Sequence, residues 1–354
     1  MNVSEIKQDL WGYLKSVNKP IVMYGMGNGA DKILERLEEY NIEISDFFAS
    51  DGFVRGHEFH GKRVLSFSEI KEKYESFIIL LSFASSLDNM LEIFYSLDSQ
   101  YEMYAPDVPV TGEGTFTLEF FNNHKEQFLF ARSLLCDEKS KEVFDNVIKY
   151  KLTGKISYLR QIETTPDEQW TNILSPEDYK ICVDAGAYNG DTASEMLIKC
   201  PHITKIYAIE PDARNFKKLI RIAEENTIIE PINSAAWNEN TTLTFDASGN
   251  RNSNTFSLNT KKTVDVDAKT IDSICASADY IKYDVEGAER NALLGSANVI
   301  SKSSPDLLVS AYHRNEDLFD LPILINKLNK NYKLYLRKFK YVPAWDLNIY
   351  AVKK

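Results

Sequence analysis

The 354-residue sequence predicts an α/β chain in which helices wrap two parallel sheets. Three observations carry this. Short apolar runs alternate with stretches of helical periodicity in both halves of the chain. Two of those runs end in glycine turns that open straight into helices, Gly25-Met26-Gly27-Asn28-Gly29 and Gly186-Ala187-Tyr188-Asn189-Gly190. Between the two halves lies a helix-rich stretch with few strand signals.

Taken in order, residues 1–18 carry Ile6, Leu10, Leu14 and Val17 at helical spacing, which predicts a short amphipathic helix. A strand over 20–24 then leads through the first glycine turn into a helix containing Ile33, Leu34 and Leu37. Further apolar runs cover 44–49 and 77–82, with a helix around 69–73. This unit, 1–110, reads as a small Rossmann-like α/β domain. Residues 111–178 read as a helical connector packed on the second α/β unit, 179–354. Its helices are expected over 119–130, 139–150 and 156–161, punctuated by Gly154 and the polar segment ETTPDEQW.

From residue 179 the alternation returns. Strands are predicted over 181–185, 205–210, 228–235, 280–285 and 307–311, with helices over 191–199, 213–225, 289–294 and 321–328. The end, 332–339 and 347–352 across Val342-Pro343-Ala344-Trp345, reads as an antiparallel hairpin. A further pair, 241–246 and 262–267 around the polar loop 248–254, reads as an insertion. Parallel strands closed by a C-terminal hairpin, with helices on both faces, resemble the sheet of class I methyltransferases.

Composition narrows the function. Hydrophobic residues are 44% and charged residues 26%, an ordinary globular balance that excludes a disordered chain. The net charge of −11 repels phosphate polymers and anionic lipid, so no nucleic-acid partner is expected. The one basic cluster, Lys333, Arg337, Lys338 and Lys340, reads as a solvated strand and hairpin face. Four scattered cysteines without a C-x-x-C pair argue against disulfides or structural zinc. The first residues lack the basic and apolar regions of a signal peptide. The longest apolar run, 77–81, is far short of the ~20 residues of a membrane helix. A cytoplasmic protein without a membrane span is expected.

The chemistry concentrates at strand ends. Val183-Asp184-Ala185-Gly186 runs through the second glycine turn into Asp191-Thr192, placing a carboxylate and exposed helix N–H groups at one strand edge. Asp184 suits a ligand that presents an ammonium group. Glu210, twenty residues after Gly190 at the end of the next strand and followed by Pro211-Asp212, is placed to accept both ribose hydroxyls of an adenosine. Asp284 and Glu286 bunch at the end of the fourth strand, where ligands bind in such folds. Glu289 reads as a cap of the next helix. His313, at the end of the fifth strand, reads as a base, a substrate hydrogen bonder or an ordinary loop residue.

The segments VDAGAYNGDT, YAIEPD, YIKYDVEGAE and SAYHR resemble the FkbM-type S-adenosylmethionine-dependent methyltransferases over residues of about 180–354. The resemblance implies O-methylation of a hydroxyl group, on a carbohydrate, nucleotide-sugar or other small molecule, in surface-polysaccharide or natural-product biosynthesis. It places Asp184, Gly186, Ala187, Tyr188, Gly190, Asp191, Thr192, Glu210, Pro211 and Asp212 at the cofactor. Asp284, Glu286 and His313 would then face the acceptor, with His313 the favoured base. A divalent metal on Asp284 and Glu286 is compatible with the sequence but not required by it.

The first glycine turn, with Asp51 downstream, is an incomplete dinucleotide fingerprint. It leaves two other readings open: a nicotinamide-dependent oxidoreductase, or a non-catalytic scaffold of two nucleotide folds. The unit itself reads either as a nucleotide-sugar binder or as a degenerate fold kept for docking or homodimerisation, the second slightly favoured. His57 and His60 lack a third ligand and read as solvated loop residues.

Overall fold

Two sheets meet in the computed structural model, which describes residue 3 and residues 5–54, 56–246 and 263–353. The first sheet has five parallel strands in the order Leu65–Ser66, Asp46–Ala49, Ile21–Tyr24, Ile78–Leu81, Glu102–Tyr104. Every residue of Ile21–Tyr24 and Ile78–Leu81 is buried. That is why these strands appear in the sequence as unbroken apolar runs rather than alternations. The fifth strand and the helix Asp88–Gln100 before it add to the predicted elements; a three-residue strand gives almost no periodicity. The predicted opening helix is shorter than expected, Leu10–Ser16, and starts where the Asp9 side chain accepts from Gly12 N.

The second sheet has eight strands in the order Ile229–Ile232, Lys205–Ile209, Ile181–Ala185, Tyr280–Tyr283, Asp306–Ser310, Leu347–Lys353, Tyr332–Phe339, Glu163–Thr164. The first five run parallel, and Leu347–Lys353 is antiparallel to its neighbours on both sides. Chain order reverses at Ile181–Ala185, so the crevice beyond its carboxyl end is the ligand position of an open α/β sheet. The helices Asp191–Lys199, Ala213–Glu225 and Glu289–Leu294 lie where the sequence places them. The predicted helix 321–328 starts four residues early, at Asp317, with Pro322 inside it, and a further helix, Ala297–Ser303, precedes it. The predicted strand 228–235 divides in two, its end Ala235–Ala236 joining Thr263–Lys269 and Thr241–Asp246 in a small separate sheet. The polar loop expected at 248–254 lies outside the described residues.

Two expectations need correction. ETTPDEQW is not mere punctuation: Glu163–Thr164 adds the last strand of the large sheet, and Pro166–Asn172 is a helix. A two-residue strand is created by its partner, here 174 residues away through Thr164 Oγ1 and Lys338 O, and carries no local signal. Second, Arg337 and Lys338 are not on a solvated face; they are 4% and 0% exposed. Arg337 donates to Asp137 Oδ2 at 2.6 Å, Glu168 Oε1 at 2.9 Å and Ser140 Oγ at 2.8 Å, pinning the connector helices to the hairpin. Lys338 Nζ donates to the carbonyls of Phe339 and Tyr341. Arg337→Ala should therefore lower unfolding free energy by about 2–3 kcal/mol, between the costs of breaking an exposed and a buried pair. Urea unfolding of the full chain checks this; a loss under about 0.5 kcal/mol would show the network to be dispensable.

One continuous apolar core joins the two sheets. It runs from Val22 and Ile79 through the connector residues Phe128, Phe144 and Val147 to Ile281, Val309 and Ile349. Ser85, beyond the end of Ile78–Leu81, pairs with Val342 in the C-terminal hairpin turn. The carboxyl edges of both sheets are thereby brought to the same region of the molecule.

Candidate active site at the sheet edges

The strand Ile181–Ala185 ends in a loop that few residues other than glycine could make. Gly186 has φ +85°, and a Cβ there would collide with the backbone oxygen of Asp284. The Gly186 and Ala187 N–H groups both donate to Ile209 O, at 3.0 and 2.9 Å. Gly190, φ +89°, stands at the N-cap of the helix Asp191–Lys199, and Tyr188 projects from the loop half exposed. Glu210 ties this loop to the next strand end: Oε2 accepts from Tyr188 N and Oε1 from Asp212 N, each at 2.8 Å. Burial pushes the Glu210 carboxyl up to about 7, against those two backbone hydrogen bonds. Asp212 caps the helix Ala213–Glu225 through Arg214 N and Asn215 N, and Asp191 accepts from Thr192 N at 2.8 Å.

Asp184 is completely buried and faces a partner that the sequence reading missed. Lys282, directly opposite it in register, brings Nζ to 3.3 Å from Asp184 Oδ1, 3.4 Å from Gly186 O and 3.9 Å from Asp284 Oδ2. Burial raises the Asp184 carboxyl to about 6 despite that ammonium, and its Oδ2 has no hydrogen-bond partner. Burial works to lower the Lys282 pKa, but the Asp184 and Asp284 carboxylates outweigh it and hold it above its usual value. A lysine inside the apolar run YIKY is the available signal.

The third cluster sits beside the first. Asp284 follows the strand Tyr280–Tyr283, and the turn Glu286-Gly287 takes φ +55° and +94°. Glu289 is more than a helix cap. At 1% exposure, its Oε1 accepts from Val285 N at 2.9 Å and Gly287 N at 3.3 Å, which fixes that turn. The same oxygen lies 3.0 Å from His313 Nδ1, a close charge contact off the hydrogen-bond direction. His313 is also 1% exposed, with Nε2 at 3.7 Å from Asp284 Oδ1 and 3.6 Å from Glu286 Oε2. Burial alone would depress its pKa, but Glu289, Asp284 and Glu286 raise it to about 10. Tyr312 donates to Asp284 Oδ1 at 3.2 Å. Thr111 N donates to His313 O at 3.0 Å, so the connector closes over this loop.

Residues 184–342 match the family model described as the methyltransferase FkbM domain. Those residues are an FkbM methyltransferase domain. Over a longer stretch the chain resembles the methyltransferase FkbM from Methylobacillus flagellatus KT, with 20% identity over 94% of this chain and 90% of that one, at a TM-score of 0.74. The two share a fold that includes the first sheet. Aeropyrum pernix fibrillarin, solved with natively bound S-adenosyl-L-methionine, is 14% identical over 51% of this chain and 69% of its own, at a TM-score of 0.34. No curated protein matches the chain.

Every residue that the sequence assigns to cofactor, acceptor or base lies inside the FkbM domain. The loop Gly186–Gly190 and Glu210 form one edge, Asp284, Glu286 and His313 the other, and they touch where Gly186 meets the Asp284 backbone. Of the partners whose part in the site the sequence reading did not assign, Lys282 and Glu289 lie largely buried behind these residues, and Tyr312 stands partly exposed beside Asp284. Outside the FkbM domain, the first glycine turn is explained largely by packing. A Cβ on Gly25 would meet Ser82 Oγ at 2.6 Å, and one on Gly29 would collide with Ser82 O. The Asp51 side chain lies outside what the structure describes. His57 and His60 are both exposed, and His60 Nε2 is 2.8 Å from Asp31 Oδ1. Lys32, from the helix after the turn, donates to Val110 O at 3.0 Å. Among the described residues no helix is long and apolar enough to cross a membrane.

Proposed function

We propose that this methyltransferase uses S-adenosylmethionine to methylate a hydroxyl group of a carbohydrate or nucleotide-sugar. The observation that carries the reading is the contact of two edges: a glycine loop tied to a ribose-type carboxylate, and an acid–histidine cluster beside it. The residues fit the cofactor. Gly186 leaves the space a side chain would fill, and each Glu210 oxygen accepts one backbone hydrogen bond and keeps a lone pair for a ribose hydroxyl. The buried Asp184 Oδ2 is without a partner, and Lys282 holds that carboxylate against the loop. When bound, the cofactor's sulfonium supplies an activated methyl group.

The protein's own work is then alignment and proton removal. Holding the acceptor oxygen in line can contribute about 7–11 kcal/mol of barrier reduction. Asp284 and Glu286, 33% and 56% exposed, are the carboxylates within reach of an incoming hydroxyl, and one of them takes its proton. His313, buried behind both, sets their positions. Tyr312, Tyr341 and Trp345 form a partly exposed aromatic row beside Asp284, with ring centroids 6.4 and 5.5 Å apart. Aromatic faces next to carboxylates suit the mixed apolar and hydroxyl surface of a sugar.

Calorimetric titration with S-adenosylhomocysteine tests the cofactor half. Wild type should bind in the micromolar range and Glu210→Ala at least tenfold more weakly. A carboxyl group accepts two hydroxyls only when ionised, and that of Glu210 ionises at about 7. Affinity should therefore fall as pH drops from 8 to 6, by up to about tenfold for one proton, and Glu210→Ala should lose that dependence. Equal, pH-independent affinity in both proteins would remove Glu210 from the site.

A further inference from the structure

We infer that His313, Asp284 and Glu289, with Glu286 at the rim, form a binding site for one divalent first-row metal ion beside the methyl-transfer centre. One donor atom from each of Asp284, Glu289 and His313 lies within 4.8 Å of the others. An acidic cluster alone would not carry this, but three buried atoms within it lack hydrogen-bond partners, His313 Nδ1 and Nε2 and Glu289 Oε2. His313 Nε2 makes no hydrogen bond although its side chain is 1% exposed. Glu289 uses Oε1 for the Val285 and Gly287 N–H groups and leaves the buried Oε2 with none. Orphaned buried polar atoms are costly and rare in native folds.

The spacing is that of ligands. At 3.7 and 3.6 Å, the Asp284 and Glu286 oxygens are too far from Nε2 for hydrogen bonds. Two donors each about 2.1 Å from one ion stand roughly 3–4 Å apart. Asp284 and Glu286 are partly exposed and can close by rotation, while His313 and Glu289 are held by burial. Tyr312 bonded to Asp284 and the backbone bonds to Glu289 supply the outer support that metal-binding carboxylates usually have. One imidazole nitrogen with two or three carboxylates selects an intermediate ion of the Mn²⁺ type over soft metals or an all-oxygen Ca²⁺ site. Such an ion would hold the acceptor oxygen and make its proton easier to remove; that use rests on the O-methylation reading, whereas the site itself does not.

The test is Mn²⁺ binding to the full chain after chelator treatment, followed by electron paramagnetic resonance in the absence of cofactor and acceptor. One Mn²⁺ per chain is expected, with affinity at least tenfold weaker in His313→Ala and in Asp284→Asn, and unchanged in Glu210→Ala. Asp284 is the more exposed position, so its variant carries the comparison if His313→Ala does not fold. No bound Mn²⁺ up to about 1 mM, near the weak end of protein sites, or equal binding in wild type and Asp284→Asn, would overturn the site. Because no methyl transfer is measured, failure here leaves the S-adenosylhomocysteine titration untouched, and failure of that titration leaves this one standing.

Discussion

His313→Ala is expected to lower the rate of methyl transfer by about 10²–10⁴-fold, the usual scale for removing a group that organises proton transfer. Affinity for S-adenosylhomocysteine should stay within about twofold, because the two Glu210 oxygens bond Tyr188 N and Asp212 N, whereas His313 faces Asp284, Glu286 and Glu289. Rates are read as S-adenosylhomocysteine release with the best acceptor from a panel of sugars and sugar nucleotides. The substitution also leaves three carboxylates and the buried Asp317, whose carboxyl burial raises to about 8, without their neighbouring imidazole. His313→Asn, which keeps a donor on the Glu289 side of the ring position, separates lost stability from lost chemistry. Full turnover in a folded variant would remove His313 from the site.

Gly186→Ala should be damaging in a different way. The new Cβ meets a backbone oxygen, that of Asp284, which cannot swing aside as a side chain would, and the φ of +85° is strained for alanine. A cost of about 2–4 kcal/mol in unfolding free energy is expected, with S-adenosylhomocysteine affinity reduced more than tenfold. The contrast is Gly27→Ala in the other glycine turn. There the added Cβ meets nothing within 4 Å and φ is −132°. Stability should change by under about 1 kcal/mol and ligand affinity not at all. If the two substitutions behaved alike, the loop's close approach would have no part in cofactor binding.

These two glycine turns illustrate how much a sequence can say. Both read as an apolar strand opening through glycines into a helix, and both are that. Which one faces a carboxylate-bearing partner strand is invisible along the chain, because Asp284 lies nearly a hundred residues beyond Gly186 and meets it only through parallel pairing. The candidate residues are legible where a charged side chain interrupts a strand end, as at Asp184, Glu210 and Asp284. Lys282 carries the same kind of signal within YIKY. Glu289 reads as a helix cap because its position allows that bond equally well; its burial and its approach to His313 are tertiary facts. Arg337 and Lys338 mislead for the same reason, since charge predicts exposure until a partner such as Asp137 or a pair of backbone carbonyls takes the place of water.

By itself the sequence determined the α/β alternation, the positions of most strands and helices of the second sheet, and the resemblance that residues 184–342 bear out. Those are local matters, set by apolar periodicity, glycine turns and caps within a few residues of each other. The tertiary structure alone decided that Glu163–Thr164 extends the large sheet, that the connector closes over the His313 loop, and that one imidazole stands among three carboxylates. Each depends on groups far apart in sequence whose charges are removed from water together. Their energies come from mutual position, which no single stretch of the chain encodes.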